Sequence, residues 1–247
     1  MIEVITISKS FNGQKVLKDI TTVFEKGKTN LIIGQSGSGK TVLMKCCIGL
    51  LDIDEGQIIF DGKGFSDLPE KKKRSTRKEM GVLFQGGALF DSFTVEENVM
   101  FPLNMFTKMS LEEKREKVNS VLQHVNLVNA NNKFPAEISG GMVKRVAIAR
   151  AIALNPKYLF CDEPNSGLDP KTAELIDELI SELTDEFQMT TVINTHDMNS
   201  VLQIGEKISY IHKGELWWEG DKNEIMKTDN KELNEFVFAT ELTRRAR

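Results

Sequence analysis

A glycine-rich stretch near the start of the chain has the residue types and spacing of a phosphate-binding loop, G-x-x-x-x-G-K-S/T. Its residues are Gly34, Gln35, Ser36, Gly37, Ser38, Gly39, Lys40 and Thr41. The glycines let backbone N–H groups approach phosphate oxygens, the Lys40 ammonium would reach the β- and γ-phosphates, and the Thr41 hydroxyl would ligate Mg²⁺. We therefore predict that this stretch binds a nucleoside triphosphate. The alternative is a glycine-rich turn with an unrelated lysine.

The segments on both sides of this stretch are the ones that a phosphate-binding loop needs. Thr29 to Ile33 is a short apolar run with β-branched residues, which predicts a buried strand. A helix is predicted over residues 40–51, and its N-terminus would carry the partial positive charge that attracts phosphate. The order strand, loop, helix therefore favours the phosphate-binding interpretation over a chance turn.

Two adjacent acids, Asp162 and Glu163, follow a second apolar run at residues 158–161. Carboxylates that emerge from a buried strand are costly unless a cation or a donor compensates them. Bound Mg²⁺ would compensate Asp162, and Glu163 would then be placed to polarise an attacking water as a general base. A solvated strand end is the simpler alternative.

A third segment has the features of an anion site. It consists of Ser139, Gly140, Gly141 and Met142. A helix is predicted over residues 140–153, and Ser139 fits its N-cap position. The serine and the glycine amides would bind an anion at the helix N-terminus, although an ordinary helix start would look the same.

Together, the glycine-rich loop, the Ser-Gly-Gly element and the two acids resemble the nucleotide-binding subunit of an ABC transporter, and the resemblance extends over essentially the whole chain. It implies that Gln85 senses Mg²⁺ and the attacking water, so that the expected Mg²⁺ ligands are Thr41, Gln85 and Asp162. It also implies that Asp169 is the acid of a loop that crosses a dimer interface. His196 follows a predicted buried strand, and the resemblance implies that it contacts the γ-phosphate; a structural histidine is the alternative.

The chain departs from the family pattern at two positions. Phe11 occupies the place of an aromatic residue that stacks on adenine, where the family usually has tyrosine. A core phenylalanine is the alternative interpretation of Phe11. Met142 stands where many members have glutamine, and it cannot donate the hydrogen bond that a glutamine side chain could.

The resemblance also implies how the site is completed. In the family, the Ser-Gly-Gly element faces the γ-phosphate held by the other subunit, and this chain has one copy of each motif with no internal repeat. A complete site would therefore need a second copy of the chain related by a two-fold axis, with ATP and Mg²⁺ in each of two sites. Transmembrane permease subunits are the other implied partners.

The predicted fold class is α/β, a phosphate-loop NTPase (RecA-like) core with a parallel sheet, an N-terminal antiparallel β region and an inserted α-helical subdomain. Strands and helices that alternate from residue 157 onward support the parallel sheet. Ser110 and Glu113 form a predicted capping box in the helical part. The predicted boundaries are 1–90 and 156–230 for the nucleotide-binding core, 91–155 for the helical signature subdomain, and 231–247 for a tail with a short helix and a basic end.

Composition excludes several classes of function. The 247 residues carry a net charge of −4, which provides no basic footprint for nucleic acid. No apolar run approaches the roughly 18 residues of a membrane span, and no secretory signal precedes the first predicted strand. We expect Cys46, Cys47 and Cys161 to be buried thiols rather than a disulfide frame or a zinc site.

A basic run needs its own interpretation, because residues 71–78 carry six positive charges. A solvated helix face is the simpler one. Attraction to anionic lipid headgroups is the alternative, since a permease would hold this chain near a bilayer.

The predicted cargo rests on resemblance. Residues 86–103, which face the membrane partner in ABC systems, and the Ile-Ser-Gly-Gly-Met element look like the ATPase of lipid-asymmetry (Mla-type, Mce-associated) transporters. This implies intermembrane phospholipid transport, a permease with a single-span lipid-binding Mce-type protein, and a peripheral position at the cytoplasmic face of the inner membrane. If this segment docks a permease, Leu89, Phe90 and Phe93 should be partly exposed. The alternatives are an ABC ATPase for another cargo such as an amino acid or a drug, a non-transport ABC ATPase, and a phosphate-loop kinase.

Overall fold

The β-strands of the computed structural model, which describes residues 1–238, form a four-stranded and a six-stranded sheet. The strands are Ile2–Phe11 (β1), Gln14–Phe24 (β2), Thr29–Ile33 (β3), Glu55–Phe60 (β4), Lys63–Gly64 (β5), Met80–Leu83 (β6), Tyr158–Asp162 (β7), Thr190–Thr195 (β8), Lys207–His212 (β9) and Glu215–Gly220 (β10). The first sheet has the order β2-β1-β4-β5 with antiparallel pairs, which is the predicted N-terminal antiparallel region.

The α-helices connect these strands and fill the middle of the chain. They are Lys40–Ile48 (α1), Glu70–Arg77 (α2), Val95–Phe106 (α3), Leu111–His124 (α4), Gly140–Ile152 (α5), Pro170–Phe187 (α6), Met198–Ile204 (α7) and Lys231–Val237 (α8). Short 3₁₀ turns occur at Pro135–Glu137 and Ile225–Lys227. Three of the α-helices, α3 to α5, lie within residues 91–155, where the sequence predicts helices.

The second sheet brings three functional strand ends to one edge. Its order is β10-β9-β3-β8-β7-β6, and every pair except β9 with β10 is parallel. Strand β3 pairs with β8, and β8 pairs with β7. Because parallel strands end at the same side of a sheet, the loops after β3, β7 and β8 meet there. The parallel sheet that the alternating strands and helices predict is therefore confirmed.

Side chains on the two faces of this sheet belong to two different apolar cores. On β3, Leu31 and Ile33 pack into the core shared with α3 to α7, whereas Ile32 packs into the core shared with α1 and the antiparallel sheet. All residues of β3 are buried. A strand covered on both faces reads as a continuous apolar run, which is why the pattern at residues 29–33 predicts it.

Local capping signals fix the starts of two helices in the inserted part. The Ser110 hydroxyl accepts from the Glu113 N–H, and the Glu113 carboxylate accepts from the Ser110 N–H, so the predicted capping box is confirmed. Thr94 and Glu97 make the same reciprocal pair at the start of α3. Helices α3 and α4 both contact α5, the helix that begins at the Ser-Gly-Gly element.

Two helices end earlier than the sequence pattern predicts. Helix α1 ends at Ile48 rather than at residue 51, because Gly49 adopts φ 75° and its N–H bonds back to the Cys46 carbonyl in a left-handed cap. Helix α5 ends at Ile152, one residue before the predicted Ala153. Both differences concern the last turn only.

The tail packs on its own chain as far as the structure describes it. In α8, Leu233 and Val237 are buried, and the Phe236 ring lies 5.6 Å from the Tyr210 ring. The predicted basic end lies outside the described residues.

The basic run forms α2 and is only in part a solvated face. Lys73 is buried and pairs with Asp52 at 3.2 Å, and Arg77 donates to the Gly49 carbonyl at 2.6 Å. Lys71 and Lys72 are exposed. Two of the six charges therefore hold α2 to the turn after α1.

The three cysteines are free and buried, as predicted. Burial raises the pKa of the Cys46 thiol to about 12 and also raises the pKa of Cys47 and Cys161. Within residues 1–238, none of the helices has the length and apolar character that crossing a membrane requires.

Candidate nucleotide-binding site

The phosphate-binding loop lies between the end of β3 and the start of α1. Gly34 has φ 148°, and a Cβ there would fall 2.2 Å from the Ile211 carbonyl oxygen and 2.8 Å from Ser38 Oγ. Gly39 has φ 109°, and a Cβ there would fall 2.9 Å from Leu17 Cδ2. Only glycine fits these two positions, so neighbouring strands hold the loop close to the sheet edge.

Lys40 is buried inside the loop that it follows. Its Nζ donates to the Gly34 carbonyl at 2.8 Å and to the Gln35 carbonyl at 3.1 Å. Burial lowers the pKa of Lys40, while the carboxylates of Glu163 and Asp162 act in the opposite direction. The ammonium is therefore curled under the loop, where phosphate oxygens could replace the two carbonyl acceptors.

The Ser38 hydroxyl also points to an anion in this loop. Its Oγ is buried, and among residues 1–238 it has no hydrogen-bond partner. A buried hydroxyl without a partner costs free energy unless something else satisfies it. A phosphate oxygen in the loop would do so, which fits the predicted binding of ATP at residues 34–41.

Two side chains with oxygen atoms that could ligate a metal ion, Thr41 and Asp162, lie together beside the loop. The Thr41 hydroxyl donates to Asp162 Oδ1 at 3.4 Å, and the buried Asn194 amide donates to the same oxygen at 3.0 Å. A hydroxyl and a carboxylate are hard oxygen ligands of the kind that Mg²⁺ prefers, and Mg²⁺ usually takes its other ligands from phosphates and water. The donor set therefore fits Mg²⁺ bound by Thr41 and Asp162.

Two of the predicted residues, Gln85 and His196, contact the carboxylate of a third, Glu163. Gln85 Nε2 donates to Glu163 Oε2 at 3.2 Å, and His196 Nδ1 lies 3.0 Å from Glu163 Oε1. Glu163 itself has φ 47°, and its N–H bonds to the Asn194 carbonyl of β8 at 3.0 Å. Gln85 thus contacts the predicted base, and its expected role as a Mg²⁺ ligand stays a prediction.

The Ser-Gly-Gly element lies at the exposed start of α5. Ser139 Oγ accepts from the Met142 N–H at 3.3 Å, which confirms Ser139 as the N-cap. A Cβ on Gly141 would fall 2.6 Å from Thr172 Cγ2 of α6. Within residues 1–238, the side chain of Ser139 is hydrogen-bonded to the Met142 N–H and to neither the phosphate-binding loop nor Glu163.

Asp169 and Phe11 lie at other exposed positions. Asp169 caps α6 by accepting from the Thr172 N–H at 3.1 Å, and this hydrogen bonding lowers the pKa of its carboxyl. Phe11 ends β1 with 40% of its surface exposed, and the Lys9 ammonium lies 5.5 Å from its ring. Phe11 is therefore not a core residue, and its stacking on adenine stays a prediction.

The comparisons with known proteins agree with this geometry. The family described as "ABC transporter" matches residues 17–166. The methionine import ATP-binding protein MetN of Campylobacter jejuni is 38% identical over 253 residues, which cover 96% of this chain and 75% of MetN. The probable ribonucleotide transport ATP-binding protein mkl of Mycobacterium leprae is 36% identical over 236 residues, which cover 96% of this chain and 68% of mkl. This chain belongs to the ABC transporter family.

A solved structure shows the same for the fold. The dimeric, post-hydrolysis ATP-binding cassette MJ0796 bound to ADP and phosphate has a TM-score of 0.81 and 33% identity. The match covers 90% of this chain and 99% of that cassette. The predicted α/β phosphate-loop fold is thus confirmed. This ABC protein is an ATP-binding subunit with ATPase activity.

This ABC ATPase also exposes an aromatic cluster after Gln85. Phe90 is 41% exposed, and its ring lies 5.1 Å from that of Phe93 and 4.9 Å from that of Phe101. Beside it is a cavity of about 330 Å³. Its lining residues are Phe93, Glu97, Met100, Phe101, Asn104 and Met105. The expected partial exposure of Leu89, Phe90 and Phe93 is what the structure has.

Arg150 of α5 holds this aromatic segment in place. Its guanidinium donates to the Gly87 carbonyl at 2.8 Å and to the Ala88 carbonyl at 2.9 Å, and it lies 5.8 Å from the Phe90 ring. The helix that begins at the Ser-Gly-Gly element is therefore attached directly to the exposed aromatic surface.

Sequence reasoning missed two buried asparagines at the site. Asn194 of β8 donates to Asp162, and Asn165 lies in the turn after Glu163. An asparagine inside a predicted buried strand, two residues before His196, was the available signal for Asn194. Asn165 had none, because polar residues are ordinary in turns.

Proposed function

We propose that this ABC ATPase powers phospholipid transport between two membranes through a separate permease, and that it hydrolyses ATP as a dimer of two identical chains. The observation that carries the ATPase part is the position of Glu163 between Gln85 and His196, at 3.2 and 3.0 Å. Glu163 acts as the general base for the attacking water, and His196 contacts the γ-phosphate.

The remaining residues bind and orient ATP. The amides of residues 34–39 and the Lys40 ammonium hold the phosphates, and Phe11 stacks on adenine. Thr41 and Asp162, with Gln85 nearby, hold Mg²⁺. When bound, that ion neutralises charge that develops on the phosphate oxygens.

A second chain completes each site. Ser139, Gly140 and Gly141 are exposed or half-buried at the N-terminus of α5. We assign them to the γ-phosphate bound by the other chain, with Asp169 at the shared interface. The dimeric form of the MJ0796 cassette supports this arrangement.

The aromatic cluster around Phe90 is the proposed contact with the permease. Its exposed rings and the adjoining cavity provide an apolar surface beside the segment that begins with Gln85. Exposed apolar patches of this kind mark interaction sites. Docking there would place the chain peripherally at the cytoplasmic face of an inner membrane, and the exposed cations of α2 would add contacts with lipid headgroups.

The cargo has two candidates. The Ile-Ser-Gly-Gly-Met element and the sequence of residues 86–103 favour phospholipid and a Mce-type partner. The 38% identity with a methionine import protein favours an amino acid instead.

Deletion of the gene in its native host separates these cargoes. If the cargo is phospholipid, the deletion strain accumulates phospholipid in the outer leaflet of the outer membrane and becomes sensitive to detergent. Wild-type gene on a plasmid restores the normal distribution, and the Glu163→Gln gene does not. Normal lipid distribution together with defective methionine uptake would replace the phospholipid proposal by the amino-acid one.

A further inference from the structure

Three buried polar side chains close in sequence to Glu163, Asp169 and His196 have no part in the hydrolysis proposed above. They are Asn165, Asp177 and Ser200, which are 8%, 2% and 1% exposed. The Asn165 amide donates to Asp177 Oδ2 at 3.1 Å and to Ser200 Oγ at 2.8 Å. The cluster therefore joins three separate segments through one amide group.

The positions of these segments suggest what the cluster holds. Asn165 lies in the turn between Glu163 and Asp169, which is the start of the loop assigned to the dimer interface. Ser200 lies in α7, whose N-cap, Asp197, directly follows His196. The hydrogen bonds of Asn165 thus connect the Asp169 loop with the helix that follows His196. The contact between Glu163 and His196 is a second, exposed link between the same two segments.

Apolar side chains would fill this space at lower cost. Burying an amide, a hydroxyl and a carboxyl costs free energy even when most of their atoms are paired. Asp177 Oδ1 is buried and lacks a partner within residues 1–238, so this cluster is not fully satisfied. An incompletely satisfied polar cluster between the Asp169 loop and α7 is better explained by a need for directed hydrogen bonds than by stability.

We propose that Asn165 is a positioning residue for ATP hydrolysis. Through its hydrogen bonds to Asp177 and Ser200, it fixes the position of the Asp169 loop relative to His196. Asn165 does not touch the phosphate-binding loop, so it acts on turnover and not on ATP affinity. This inference rests on the proposed role of His196 at the γ-phosphate.

The test compares Asn165→Leu with Asn199→Leu in the purified full chain. Both changes replace an amide by an apolar side chain of similar size, and Asn199 is exposed on the same helix as Ser200. We expect Asn165→Leu to lower kcat about 10-fold, as expected for loss of directed positioning, and to leave the ATP dissociation constant within about twofold. Asn199→Leu should leave both quantities unchanged.

A His196→Ala background distinguishes positioning from general damage. If Asn165 acts through His196, Asn165→Leu should lower the residual turnover of His196→Ala by less than about twofold, because the two effects are not additive. An equal loss in both backgrounds, unchanged kcat in folded Asn165→Leu, or a parallel loss of ATP affinity would each overturn the proposal. His196→Ala with wild-type turnover would contradict the role of His196 instead.

A second variant keeps the test valid if Asn165→Leu does not fold. Ser200→Ala removes one acceptor of the Asn165 amide with little change in volume. We expect it to lower kcat severalfold without changing ATP affinity, again with little further effect in the His196→Ala background. Wild-type kcat in Ser200→Ala would contradict the proposal. So would a loss of turnover in the His196→Ala background as large as the loss in the wild-type background.

Discussion

At the scale of single residues, a change at Glu163 tests whether ATP binding can be separated from ATP hydrolysis. Glu163→Gln keeps the shape of the side chain and removes the proposed base. Hydrolysis should fall by about 10²–10⁴, while ATP still binds because Lys40 and the loop are unchanged. Phosphate release and ATP titration measure the two effects, and light scattering should detect a dimer that persists in ATP.

The control for this variant is Glu174→Gln, the same change at an exposed position of α6. It should hydrolyse ATP at the wild-type rate. Wild-type hydrolysis by Glu163→Gln itself would transfer the role of base to another group.

The burial of Asp177 predicts that the stability of the protein depends on pH. Its burial raises the pKa of the carboxyl to about 6, and the negative charge of Asp197 acts in the same direction. Hydrogen bonds from Ser200 and Asn165 oppose the shift. Because the folded state binds this proton more tightly than the unfolded state, protonation stabilises the fold at low pH. That contribution is lost as the pH rises from about 4 towards and through 6.

Asp177→Asn should therefore stabilise the protein more at pH 8 than at pH 5. We expect the gain in unfolding free energy to differ by about 1–2 kcal/mol between the two pH values. Urea unfolding at each pH measures it. Glu178→Gln removes the same charge from the neighbouring exposed residue of α6 and should show no such difference. A gain for Asp177→Asn that is equal at both pH values would contradict the raised pKa.

At the scale of elements, local signals predict most of the site. The strand before the loop, the helix after it and the Ser110 capping box each depend on a few neighbouring residues, and the structure contains all three. The early end of α1 was also encoded locally, because Gly49 favours the left-handed cap that stops it. The Thr94–Glu97 box has the same pattern as the one at Ser110.

The parts that the sequence could not predict depend on distant partners. The Asn165 amide reaches Ser200, which is 35 residues away in the chain, and Asn194 reaches Asp162 at a separation of 32 residues. Periodicity and spacing carry no information about which polar side chains meet across a sheet edge. Their hydrogen bonds are consequences of the strand order, which places β7 beside β8.

The exposed aromatic cluster gives a prediction for the element after β6. Phe90→Asp places a charge on the proposed docking surface, so the chain should leave the membrane fraction of its host. Folding and ATP binding should remain, because Phe90 is on the surface and does not contact the phosphate-binding loop. Sedimentation of membranes followed by immunoblotting measures the bound fraction, and ATP titration of the purified variant measures binding.

Phe187→Asp is the matched control, since Phe187 is 37% exposed at the end of α6 and outside the cluster. It should stay with the membranes. Full retention of Phe90→Asp on the membranes would contradict the assignment of the docking surface to the aromatic cluster. It would not contradict the assignment of ATPase activity.

At the scale of the whole molecule, the exposed position of Ser139 at the start of α5 raises the question of how many chains one site needs. Ser139→Arg should abolish hydrolysis and leave ATP binding at its own loop intact, because the phosphate to which we assign Ser139 is bound by the other chain. Ser120→Arg makes the same change at an exposed serine of α4 and should remain active. Full activity of Ser139→Arg would refute the shared site.

Mixing two inactive chains tests the two-fold arrangement directly. In a dimer of Ser139→Arg with Lys40→Ala, one site combines the intact loop of the first chain with the intact Ser139 of the second, and the other site carries both lesions. Random association makes about half of the dimers mixed, so about a quarter of the wild-type activity should return if each site works independently. Phosphate release measures it, with light scattering to verify that mixed dimers form in ATP. A mixture as inactive as its two components, despite mixed dimers, would contradict independent composite sites. The reason is that one site of each mixed dimer contains both an unchanged Lys40 and an unchanged Ser139.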